Sequence, residues 1–145
     1  MTQRYATESD AIEAFLGGDH FAVVGASTNR AKYGNKVLRC YLQNGRTAYP
    51  INPRADEIEG VACSPDLASL VETLGEPVHG VSFITPSAIT ERVMQDIVEL
   101  GIKHVWMQPG AESDEAVRIG QEHGVNVIAG GPCLLVVLGY RENAI

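Results

Sequence analysis

Three stretches of the chain repeat one pattern: a short apolar run, a polar turn, an amphipathic segment and then a glycine. Phe21-Ala22-Val23-Val24 leads through a turn to a segment that ends before Gly45. Val81-Ser82-Phe83-Ile84 leads through Thr85-Pro86 to a segment closed by Gly101. Val105-Trp106-Met107 leads through Gln108-Pro109-Gly110 to one closed by Gly124. Glycine just past a helix supplies its left-handed cap, and proline near its start suits the first turn. Short apolar strands alternating with helices imply parallel β-α-β units with right-handed crossovers.

The middle helix has the clearest pattern. Ile89, Val93, Ile97 and Leu100 form an apolar stripe with Met94 and Val98 alongside, while Arg92, Gln95, Asp96 and Glu99 fall on the wet side. Further strands are expected at Thr47–Ile51, near Val61–Cys63 and at Asn126–Ala129. Thr7 to Leu16 reads as a leading helix with Thr7 as its N-cap. Pro50 counts against a strand at Thr47–Ile51, because it lacks the N–H that an interior strand uses. No linker or repeated sequence breaks the chain, so one α/β domain spanning residues 1–145 is expected.

At 145 residues, with 45% hydrophobic and 20% charged side chains, a core can form without disulfides. Eighteen acids against eleven bases leave a formal charge of −7, which argues against a nucleic-acid partner. Cys40, Cys63 and Cys133 match neither a zinc site nor a disulfide framework, and they read as reduced thiols of a cytoplasmic protein. The polar amino terminus and the short apolar run Cys133 to Leu138 give no signal segment and no membrane span. His20, His79 and His104 stand just before strands, and His123 ends a helix, where a structural role suffices. Their spacing indicates neither a metal site nor a catalytic triad, and Asp114 and Glu115, opening the last helix, suit its positive end. Cys133, beside an apolar run, reads as a core thiol.

The chemistry concentrates after the first strand. Gly25-Ala26-Ser27 allows a tight turn, and Arg30, Lys32 and Lys36 add positive charge before the next helix, whose N–H groups favour an anion. A phosphate site and an ordinary polar loop with solvated bases both fit. This is not the G-x-G-x-x-G signature, since Ser27 replaces its second glycine and the next glycine is Gly34. At the end of the second strand, Asn52-Pro53-Arg54 stands where an NAD site offers an acid to the ribose. Arginine there suits an added ribose phosphate, on NADP or on coenzyme A, or it is a plain surface base.

The strings Val23-Val24-Gly25-Ala26-Ser27, Tyr33-Gly34-Asn35-Lys36-Val37 and Pro50-Ile51-Asn52-Pro53-Arg54 together resemble the small CoA-binding domain proteins. Ile58-Glu59-Gly60, Thr85-Pro86, Val105 to Ala111 and Gly130-Gly131-Pro132-Cys133 continue the match in order, over roughly Phe15 to Leu138. That family is similar to the CoA-binding N-terminal domain of the succinyl-CoA synthetase alpha subunit. The resemblance implies an α/β, Rossmann-like, doubly wound and mostly parallel sheet of five or six strands with helices on both faces. It also implies that Gly25, Ala26, Ser27, Arg30, Tyr33 and Gly34 hold a pyrophosphate. Asn52, Pro53 and Arg54 would line the adenosine end, Thr85 and Pro86 would close the pocket, and Gln108 and Gly110 would lie beside the pantetheine arm. The segment around Cys133 departs from the family's commonest form, in which an aspartate-arginine pair precedes the cysteine.

The expected function is therefore binding of coenzyme A or an acyl-CoA by a carrier, sensor or accessory module. No catalytic residue and no metal is assigned, and the small-molecule ligand is the only partner implied. A small NADP-linked oxidoreductase is the enzyme alternative, weakened by the absence of a tyrosine-x-x-x-lysine pair after the strand at Val81–Ile84. A regulatory interaction module that has lost its ligand is the third reading.

Overall fold

Phe21 and Val23 point to one side of their strand and Ala22 and Val24 to the other, and all four are buried. A strand apolar on both faces must lie between two layers. In the computed structural model, which describes residues 5–142, that strand is β1 (His20–Val24). It is flanked in a parallel five-stranded sheet by β2 (Thr47–Ile51) and β5 (Gly80–Phe83), followed by β6 (His104–Met107) and β7 (Asn126–Ile128). The order β2-β1-β5-β6-β7 reverses direction beside β1, which makes the fold Rossmann-like and doubly wound.

The sheet separates two cores. On one face Phe15, Phe21, Val23, Val37, Leu38, Tyr41 and Trp106 pack beneath α1 (Glu8–Leu16) and α2 (Tyr33–Gln43). On the other face Ala22, Val24, Val81, Phe83, Val105 and Met107 pack against α3 (Leu67–Leu74), α4 (Ser87–Leu100) and α5 (Asp114–Glu122). The caps are chemical. The Thr7, Asp66 and Ser113 side chains accept backbone N–H groups from Asp10, Ser69 and Ala116. His123 donates from Nδ1 to the Ile119 carbonyl, 2.8 Å away, at the end of α5.

The strand expected near Val61–Cys63 is present, as a short strand outside the main sheet, and the burial expected on α4 is corrected. Val61–Ala62 (β4) pairs antiparallel with Glu57–Ile58 (β3), because the two-residue turn Glu59-Gly60 has positive φ at both positions, 52° and 81°. On α4 the fully buried seam is Thr90, Met94 and Ile97, with Ile89 and Val93 only half-buried beside it. The reason lies in the cleft described below, onto which those two residues face.

Pro50 is accommodated by its place. It lies on β2, at the sheet margin, and its carbonyl points away from β1 to accept the Ser64 N–H at 3.1 Å. In a parallel strand N–H and C=O of one residue point the same way, so the missing donor costs the β1–β2 ladder nothing.

Candidate functional site

The loop after β1 is clamped between two elements. Gly25 has φ of 98°, and a Cβ there would stand 2.2 Å from the Ile84 carbonyl oxygen beyond β5. Gly34, in the first turn of α2, is equally confined, since its Cβ would fall 2.0 Å from the Gly25 carbonyl oxygen. The absence of side chains thus lets the amino end of α2 press onto the strand end. Between them the loop is folded by its own side chains. Ser27 Oγ accepts the Asn29 N–H and Asn29 Oδ1 accepts the Ala31 N–H, both at 3.0 Å. The Ncap residue of α2, Lys32, makes no side-chain cap at this positive helix end.

Beside this loop, over the carboxyl ends of β1, β2 and β5, lies a cleft of about 790 Å³. It sits where strand order reverses, the ligand position in open α/β sheets. Seven of the expected site residues line it: Gly25, Ala26, Asn52, Pro53, Arg54, Thr85 and Pro86. Asn52 ties two of these segments together, donating to the Ala26 carbonyl at 3.0 Å and accepting the Arg54 N–H at 2.8 Å. Thr85 is fixed by a 2.7 Å hydroxyl contact with Thr90. Gly110 lines a smaller cavity of about 260 Å³ that shares Thr85 and Pro86 with the cleft.

The other expected residues stand outside the cleft lining. Ser27 and Gly34 shape the loop. Arg30 points its guanidinium to Glu59, NH1 to Oε1 at 2.7 Å. The same carboxylate accepts from Asn35 Nδ2 at 3.1 Å, and Asn35 Oδ1 accepts from the buried Arg39 at 2.6 Å. The β3–β4 turn therefore braces the loop. Tyr33 and Gln108 meet each other, at 3.1 Å, together with Cys133. Cys133 itself is half-buried rather than sealed in the core.

The expected set did not include the far wall. Ile89, Arg92, Val93 and Asp96 of α4 line the cleft opposite the strand ends. Their spacing places them on one helix face, a signal hidden because Arg92 and Asp96 read as solvated. Arg54 and Arg92 thus share the cleft with Asp66 and Asp96. Asp66 is engaged as the α3 cap, and the Ser69 N–H bond holds its carboxyl below the ordinary range. Among the described residues no cluster of three or more metal-ligating side chains occurs, and no helix is long and apolar enough to cross a membrane.

A doubly wound sheet with its crevice at the strand reversal defines a ligand-binding α/β domain of the Rossmann-like class. The chain belongs to the CoA binding domain family, whose pattern matches residues 19–139. It is 27% identical over 119 residues to ADP-forming acetate–CoA ligase I of Archaeoglobus fulgidus, covering 78% of this chain and 17% of the ligase. Among solved structures it is similar to a conserved hypothetical protein from Pyrococcus furiosus, with 39% identity, a TM-score of 0.73, and coverage of 82% of this chain and 98% of that one. The dinucleotide-forming acetyl-coenzyme A synthetase 1 of Ca. Korarchaeum cryptofilum aligns at 31% identity and a TM-score of 0.66, over 80% of this chain and 27% of the synthetase. The chain thus spans less than a fifth of the ligase's length.

Proposed function

We propose that this protein binds coenzyme A or an acyl-CoA in the cleft above β1, β2 and β5, as a cytoplasmic carrier, sensor or accessory module. One observation carries the reading: the Gly25 turn, the Asn52–Arg54 strand end and Thr85-Pro86 converge on one cleft whose far wall adds Arg92. In this reading the pyrophosphate rests on the loop from Gly25 to Gly34 at the amino end of α2, with Arg30 exchanging Glu59 for phosphate. Asn52, Pro53 and Arg54 receive the adenosine end, and Thr85 and Pro86 close over it. The pantetheine arm leaves past Gly110 and Gln108 through the smaller cavity. The chain offers no acid at Asn52 for a ribose diol, and its two cleft arginines suit a ribose that bears phosphate.

Calorimetric titration with coenzyme A, acetyl-CoA, NADP and NAD tests the assignment, with thermal unfolding as the second readout. A ligand at 100 times its dissociation constant adds about 2.7 kcal/mol of stability. Coenzyme A is expected to raise the melting temperature and NAD to leave it unchanged. A shift with NADP or NAD and none with millimolar coenzyme A would refute the proposal.

A further inference from the structure

A second group of reactive side chains stands at the carboxyl end of β6. The Tyr33 hydroxyl lies 3.1 Å from Gln108 Oε1 and 2.7 Å from Cys133 Sγ. The Leu134 N–H donates to the same Gln108 oxygen at 2.8 Å. A backbone N–H can only donate, so the carboxamide orientation is set, with its oxygen toward these donors. Its nitrogen, Nε2, is buried and has no hydrogen-bond partner among the described residues. Gln108 as a whole is fully buried.

A buried amide donor left unpaired is destabilising, and such a group calls for an acceptor. Cys133 and Tyr33 lie at the half-exposed side of the cluster. Burial, and then the hydrogen bond with Cys133, hold the Tyr33 phenol proton well above its ordinary range, so the hydroxyl remains a donor. A nucleophilic thiol beside a protonated phenol and an amide N–H without an acceptor suits the carbonyl of a thioester. Pro109 and Gly110, next in the chain after Gln108, line the small cavity, which shares Thr85 and Pro86 with the cleft.

We propose that Cys133 accepts the acyl group of an acyl-CoA, an inference that rests on the coenzyme A reading of the cleft. Sγ bonds to the thioester carbonyl carbon while the carbonyl π pair moves onto oxygen, which Gln108 Nε2 holds. As the carbonyl re-forms, the carbon–sulfur bond to pantetheine breaks. The departing sulfur takes the proton that the Cys133 thiol gives up through the Tyr33 hydroxyl. Acyl-CoA and thiol become S-acyl-Cys133 and free coenzyme A. One thioester replaces another, so the step consumes no oxidant, nucleotide or metal and runs in both directions. Tyr33 and Gln108 are then acyl-site residues, Tyr33 as the proton carrier and Gln108 as the donor to the thioester carbonyl oxygen.

The test is incubation of the whole protein with acetyl-CoA, followed by intact-mass analysis and peptide mapping under acid quench. The expected result is one acetyl group on Cys133, removed when excess coenzyme A is added and absent in Cys133→Ala. The half-exposed thiol of Cys63 serves as internal control. Tyr33→Phe, which keeps the ring, is expected to slow acetylation about ten- to a hundredfold. Calorimetry on the same samples separates two failures. Acetyl-CoA binding with no acetylation, or with Cys63 acetylated as fast as Cys133, overturns this inference alone. No binding of either coenzyme A or acetyl-CoA overturns both readings.

Discussion

Replacing Gly34 with alanine opposes two effects of known sign. Inside a helix alanine is more favourable than glycine by roughly 0.5–1 kcal/mol. Against this, the new methyl would lie 2.0 Å from the Gly25 carbonyl oxygen and 3.3 Å from the Ala26 Cα. Both obstacles are backbone, and Gly25 has no room to retreat, because its other side already meets Ile84. The helix must lift instead, and α2 carries Val37, Leu38 and Tyr41 into the core. Overpacking costs about 1–3 kcal/mol, and a backbone obstacle puts this site at the upper end. Subtracting the helix gain leaves a net loss of about 2 kcal/mol. For a domain of this size each kcal/mol moves the melting temperature by about 2–4 °C, so a fall of about 4–8 °C is expected. Thermal and urea unfolding of wild type and Gly34→Ala, without ligand, measure it. An unchanged or raised melting temperature would refute the close approach of α2 to the β1 loop.

Two further outcomes follow from the site and from the opposite edge of the sheet. Arg54→Ala is expected to weaken coenzyme A about ten- to a hundredfold while barely changing dephospho-CoA, because a charged hydrogen bond is worth roughly 1.5–3 kcal/mol. Arg30→Ala is expected to weaken both ligands alike, and an equal loss for both in folded Arg54→Ala would rule Arg54 out as the reader of the terminal phosphate. At the amino edge, His104 stacks on His79 with ring centroids 4.3 Å apart and accepts the Asn126 amide at Nδ1. Burial first, then His79, lower its pKa from 6.5 to about 4. The unfolded chain therefore binds the proton more readily, so stability is full above pH 6.5 and declines as pH falls toward about 4. Because the ring is only half-buried, the loss is about 1–2 kcal/mol after discounting for screening. Urea unfolding across this range should show the slope reduced in His104→Phe, and an identical slope would remove His104 as its source.

Much of the architecture is legible because local rules agree. Alternating apolar runs, Thr7 as a cap and glycine after α4 each point to the elements observed. The Gly25 turn and Asn52-Pro53-Arg54 are legible as cleft segments because each ends a strand, and strand ends in such sheets converge. Arg92 was not legible, since its charge suggested solvent while its spacing from Ile89 put it on the cleft face. The Tyr33–Gln108–Cys133 cluster was not legible either. Its members are 75 and 100 positions apart, and only the winding of the sheet brings them together. The β3–β4 hairpin was signalled by Glu59-Gly60 but obscured by glutamate, which seldom adopts positive φ.

Pro50 has a consequence for assembly. A sheet margin with free N–H and C=O groups is a template on which another chain can add a strand. On β2 that template is interrupted, because Pro50 offers no donor and its carbonyl is already taken by Ser64, whose own carbonyl accepts the Asn52 N–H. Ser64 thus acts as a one-residue cover over the middle of the margin beside the cleft. Strand addition is thereby disfavoured at the middle of β2, on the side where Asn52 and Arg54 stand.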